Sequence, residues 1–403
     1  MRTSIPFFLV FILMVACSGE KEERPMAFWT VDIREAVERP GSVHIGEEIK
    51  SVEYIPLETT DDPASLIGGI ADFAVTDQFI YVYPQTEPRI ALFDRQGRFV
   101  RTLIREGQGP GEFSGPLSGI QVVPEADRIY LYGNKTWEFT LAGEPIRSWL
   151  NPRPVLYSRR IAADRFAQVA MPFVPFTASR FGIGVSDERG NLLLNKNDFS
   201  AAGLPPERTG FTGSVAACLA PDGRSALFKS GCGDTIYRLT PDSIAIALVT
   251  HTDNSEEEIR RGLDIGDFAN LRGEGRADRE IVVADLMETA RTFYLRCRYD
   301  RGYTILAIDK RSGAVEAERC VMPVQTLEEL AGSSTYQLGM LGARDNNGFP
   351  VWGRTEGDLL FQVVIPDELI LYRDKAGIPL PKPLQQVDVE EGNPILLIHH
   401  LAE

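Results

Sequence analysis

From residue 49 onward the chain alternates between short segments rich in β-branched and aromatic residues and clusters of Gly, Asp, Pro and Ser. In segments such as IADFAV (70–75), QFIYVY (78–83), GIQVV (119–123) and RIYLY (128–132) the pattern is that of strands, not of helices. A larger unit lies over this pattern: a strand, a tight turn carrying Gly or Asp, and a second strand. It recurs as IALFDRQGRFV with Gly97, WEFTLAGEPI with Gly143, IGVSDERGNLLL with Gly190, IYRLTPDSIAIAL with Asp242, ILAIDKRSGAVEA with Gly313 and LILYRDKAGIPL with Gly377.

Successive turns lie 46, 47, 52, 71 and 64 residues apart, which brackets the roughly 40 to 50 residues of a four-stranded blade, with insertions in the later copies. Two of these, residues 255–271 and 324–330, read as short helices. A single blade cannot bury both of its faces, so blades must stack around an axis. The predicted fold is therefore all-β, a six-bladed β-propeller with short helical insertions, forming one domain over residues 28–403. VEYIPLE (52–58) and ILLIHHL (395–401) are both strand-like and are expected to close the ring within one blade.

The N-terminus has a different character. Arg2 precedes an apolar run from Ile5 to Ala16, too short to span a membrane, which reads as a signal peptide over residues 1–16. Met14, Val15 and Ala16 before Cys17 resemble the lipobox of bacterial lipoproteins, which implies acylation of Cys17 and cleavage before it. Residues 17–27 then form a polar, acidic tether. In Bacteroidota lipoproteins such an acidic run resembles a signal for the cell surface. Ser18 at the next position argues against retention in the inner membrane. The expected location is the outer membrane, at the cell surface or on its periplasmic side.

Charge and cysteine usage narrow the chemistry. A formal net charge of -15 disfavours nucleic acid, which needs a basic surface. Cys218, Cys232, Cys297 and Cys320 form no CxxC pair, so a zinc site is not expected, and their spacing leaves both disulfides and buried free thiols open. Only His44, His251, His399 and His400 are present, and the adjacent pair on a strand would face opposite sides. The chain carries no GxSxG or HExxH motif. Asp61-Asp62 and Asp345-Asn346-Asn347-Gly348 are the only suggestion of calcium, and turn chemistry explains them without an ion.

Residues 93–132, which include the GQGPGEF loop (107–113), resemble the NHL type of propeller repeat, in which a Gly-rich loop links one blade to the next. With the YIPLETTDDPASLIG opening (54–68), a DTIYRL strand (234–239) and the NPILLIHHL ending (393–401), the chain resembles six-bladed propeller lipoproteins of Bacteroidota. That resemblance implies no particular reaction. Gly107, Gly109, Pro110 and Gly111 read as shaping a connection and Phe113 as a plug against the next blade, with Glu112 and Arg105 paired beside it. The Trp residues 29, 137, 149 and 352 are candidate sugar platforms, chiefly Trp137, Trp149 and Trp352. The expected function is a membrane-anchored binding or scaffold module for a glycan, a peptide or a partner lipoprotein or outer-membrane protein. The alternative is a lyase or hydrolase working at the central channel.

Overall fold

The computed structural model describes residues 29–152, 154–170, 173–174, 181–197, 210–211, 215–230, 234–252, 281–299, 302–320, 342–375, 377–387 and 392–402. The insertions predicted at 255–271 and 324–330, the leader, Cys17 and Cys232 lie outside them. Strand β1 (Trp29–Asp32) is followed by α1 (Ile33–Glu38), capped by Asp32, and then by β2 (Ile49–Pro56). Six blades follow.

Blade one is β3 (Ile70–Val75), β4 (Phe79–Pro84), β5 (Arg89–Asp94) and β6 (Phe99–Arg105). Blade two is β7 (Leu117–Val123), β8 (Arg128–Gly133), β9 (Lys135–Phe139) and β10 (Pro145–Leu150). Blade three is β11 (Val155–Ala162), β12 (Arg165–Ala170), β14 (Phe181–Ser186) and β15 (Leu192–Asn197), and a small ladder pairs β13 (Phe173–Val174) with β16 (Gly210–Phe211). Blade four is β17 (Val215–Leu219), β18 (Ala226–Ser230), β19 (Thr235–Leu239) and β20 (Ile244–His251). Blade five is β21 (Val282–Glu288), β22 (Thr292–Tyr299), β23 (Gly302–Asp309) and β24 (Val315–Cys320). After the short pair β25 (Ala343–Arg344) and β26 (Pro350–Val351), blade six takes β27 (Arg354–Glu356), β28 (Leu359–Val364) and the C-terminal β29 (Ile395–Leu401), and β2 completes it. The predicted six-bladed propeller is thus observed.

Strand alternation builds the core. In β8, Ile129 and Leu131 face blade one while Tyr130 and Tyr132 face blade three. In β4, Ile80 and Val82 face blade six and Tyr81 faces blade two. Both sides of each sheet are covered, so the buried apolar residues fall into clusters that each fill one gap between neighbouring blades.

The ring closes through pairing of β2 with β29, antiparallel from Ile49↔Leu401 to Pro56↔Ile395, as the strand-like ends suggested. This corrects the sixth repeat. Residues 366–375 are helical, with α2 (Pro366–Ile370) running into a wider turn at Leu371–Lys375. Gly377 therefore sits in an excursion between β28 and β29, not in a blade hairpin. The physical reason is closure itself: a ring sealed by its two ends has no covalent hairpin between strands three and four of the sealing blade.

A second departure is β1. It adds in parallel to the outer edge of blade four, Trp29↔Leu248 to Asp32↔His251, and makes that sheet five-stranded. From there the chain runs across blade five, where the Gly41 amide meets the Ala317 carbonyl at 2.6 Å, and on to blade six. Val31, Ile33 and Val37 are buried along the way.

The two ends of the ring differ. The turns joining strands one to two and three to four share one end, and none exceeds six residues, the longest being 220–225. Apart from 33–48, which crosses from the end of β1 to the start of β2 beside the tight turns, the longer connections start and finish at the other end: 57–69, 106–116, 171–180, 198–214, 252–281, 321–353 and 365–394.

Candidate functional site

At the axis, the first strands of the blades bring charge together. A β-bulge in β3 between Ile70 and Asp72 turns the Asp72 carboxylate inward. One of its oxygens accepts from Arg159 Nη2 of blade three at 3.0 Å and from the Ile120 amide of blade two at 2.8 Å. The other accepts from Arg354 Nη1 of blade six at 2.8 Å and from the Phe73 amide at 2.9 Å. Burial works against the Arg159 charge, but Asp72 and the neighbouring phenols of Tyr157 and Tyr132 outweigh it and hold the guanidinium above its ordinary range. Asp285 of blade five stands in the same relation to its own bulge, accepting from the Leu286 amide and from Trp352 Nε1, each at 2.9 Å.

These groups hold blades to one another. Beside Arg159, Arg354 and Glu356 about 10 Å³ of free volume is left, room for about one water. Sequence reasoning missed this layer, although the repeat of Ala-Asp before an apolar residue, Ala71-Asp72-Phe73 and Ala284-Asp285-Leu286, was there to be found.

The Gly-rich connection between blades one and two is a tight bend. Gly111 has φ +89°, the Gly107 amide meets the Phe113 carbonyl at 2.9 Å, and Glu112 Oε2 accepts from the Gly109 amide at 2.7 Å. Pro110 is exposed within it. Phe113 is fully buried between the two blades. Glu112 thus serves the loop backbone and is not the partner of Arg105.

The Trp residues separate clearly. Trp149 packs edge-on against Phe166, with ring centroids 5.4 Å apart, and Trp352 lies under Arg296 at 4.3 Å. They are only 9% and 8% exposed, so neither presents a ring face to a ligand. Trp29 covers the Gly313 turn. Trp137 alone of the three chief candidates is half-buried beside an open cleft.

That cleft, of about 230 Å³, is lined by Ser114, Gly115, Pro116, Leu117, Gly133, Asn134, Lys135, Trp137 and Leu150. It lies at the end of the ring that carries the long connections, between the linker into blade two and the turn at Asn134. Asn151 stiffens its floor by donating to the Gly133 carbonyl at 2.7 Å and accepting from Thr136 at 3.0 Å and Gln168 at 2.9 Å.

The remaining titratable candidates are structural. His399 is buried against Gln362 at 3.0 Å, while His400 lies on the opposite side of β29, 2.5 Å from Glu53. Cys218, Cys297 and Cys320 are free and buried, and burial raises each thiol, Cys297 to about 12 and Cys320 to about 11. Asp345 accepts from the amides of Asn347 and Phe349, both at 2.8 Å, as a turn-forming side chain. Among the described residues no group of His, Cys, Asp and Glu is placed to hold a metal ion.

Comparison with one solved structure supports the fold. A Bacteroides fragilis protein whose name marks it as a candidate exported protein superposes with a TM-score of 0.63 at 15% identity, covering 90% of this chain and 98% of its own. A member of the DUF4221 family from Bacteroides vulgatus covers 89% of this chain and 99% of its own at 9% identity, with a TM-score of 0.48. No curated protein matches the chain. A family model spans residues 28–400, nearly the whole propeller, and the chain belongs to that family, described as a domain of unknown function, DUF4934.

Proposed function

We propose that the protein is an extracytoplasmic propeller lipoprotein, held to the outer membrane through Cys17, that works as a binding or scaffold module. Its ligand is a glycan, a peptide or a partner protein. The observation that carries this reading is the uneven distribution of connections: the turns at one end of the ring are tight, and seven long connections start and finish at the other. In repeat folds, insertions gathered on one face mark the surface that meets a partner. The leader, the residues before Cys17 and the NHL-like Gly-rich connection support the lipoprotein part, and the name of the Bacteroides fragilis neighbour agrees with export.

The axis offers the enzyme alternative no comparable support, because the Asp72 carboxylate is taken up by four hydrogen bonds between and within blades. The test is a glycan array together with a pulldown using the purified mature body. Saturable binding lost on shortening 198–209, or weakened by Lys135→Gln in the cleft at the same end, with unchanged melting, supports presentation from this end. Binding unaffected by either change, or no ligand at all, overturns it.

A further inference from the structure

We infer that the cleft beside Trp137 is a subsite for an acidic saccharide, a sugar ring bearing a carboxylate or sulfate; this rests on the binding role proposed above. The first observation is the wall chemistry. Trp137, Leu117 and Leu150 supply the apolar surface, and Leu150 is 67% exposed. Directly opposite Trp137 on β10 is the small Ser148, and opposite Lys135 is Leu150, so these side chains share one face of blade two.

The second observation is unused hydrogen-bonding capacity. Within the described structure no hydrogen bond engages the side chains of Ser114, Asn134 or Lys135, or the indole N–H of Trp137. A ligand must therefore combine an apolar face with several acceptors, which is the chemistry of a sugar ring: C–H groups for the indole and hydroxyls for the donors.

The third is charge. Among the described residues Lys135 is the only charged one lining the cleft, and its ammonium sits over the Trp137 ring, 5.4 Å from the centre, within reach of an anionic substituent on a sugar ring packed against the indole. Glu106, the neighbouring acid, already accepts from the Gly115 amide at 3.0 Å. The size agrees, since 230 Å³ falls below the roughly 300 to 1,000 Å³ typical of drug-sized sites and suits a single ring.

The walls are also preformed. A Cβ on Gly133 would come within 2.5 Å of the Pro116 carbonyl oxygen, so only glycine lets the linker lie this close to the turn.

The test presents the mature chain with uronate-containing and sulfated oligosaccharides, their neutral counterparts and acidic peptides, followed by calorimetry on whatever binds. The expected result is binding confined to acidic saccharides. Trp137→Ala and Lys135→Gln should each weaken it at least tenfold, with Lys135→Gln also flattening its salt dependence and melting like the parent. Binding of neutral sugars or peptides only, or acidic-sugar binding indifferent to both substitutions, overturns the assignment while leaving a binding role elsewhere on the ring. Silence across the array and in the pulldown removes both readings.

Discussion

Asp72 shows how much one side chain can hold. Blades two, three and six all donate to it, so Asp72→Ala would leave Arg159 and Arg354 facing each other in a site where Arg159 is buried. Breaking a buried pair from one side costs about 3 to 5 kcal/mol, and denaturant unfolding should register a loss of that size. Buried His399 gives a pH signature. Burial, with a smaller contribution from His400, lowers its pKa from 6.5 to about 4. Below 6.5 the unfolded chain takes up a proton that the folded one refuses, so stability is full above that pH and falls progressively as pH drops to about 4, by about 3 kcal/mol in total. Melting curves of the parent and of His399→Gln across this window should diverge, the variant losing that part of the slope. The sequence placed His399 and His400 on opposite faces through simple strand alternation. It could not show that one faces Gln362 and the other Glu53, because those partners lie 37 and 347 residues away.

Elements were legible where local chemistry dictates them and illegible where distant segments do. The hairpin at Gly97 announces itself: Asp94 Oδ1 accepts from the amides of Gln96 and Arg98, and glycine takes φ +81° at a point where a Cβ would fall 2.2 Å from the Pro56 carbonyl oxygen. The segment around Gly377 carries the same signs, Asp, Gly and flanking apolar residues, yet α2 forms there because no fourth strand follows in sequence. Nor does anything local in WTVD reveal that β1 adds to β20, more than 200 residues on. Deleting residues 29–38 should lower the melting temperature markedly, since Val31, Ile33 and Val37 would leave their cluster, at roughly 1.5 to 3 kcal/mol for each buried side chain. Gly111→Val should also destabilise, by about 1 to 3 kcal/mol for strain at φ +89°. Unchanged melting with lost ligand binding would instead make that loop part of a site.

At the scale of the whole molecule, repeat spacing marked five blades and the strand-like ends the closing sixth, while the difference between the two ends emerged only once strands were ordered into sheets. If the lipid alone holds the body to the membrane, Cys17→Ala should move the protein to the aqueous phase in detergent partitioning without altering its melting temperature. The pairing of β2 with β29 has a consequence in time as well as in space. Ile49 meets Leu401 across 351 intervening positions, one of the longest loops this chain can close, and such contacts form late and slowly. Until the last residues are available, β2 has no neighbour and the apolar faces of blades one and six stand uncovered. A nascent chain therefore cannot complete the ring before β29 has been made. Ring closure must await β29, and a chaperone that shields β2 in the interval would speed recovery of native protein without ever touching the folded state.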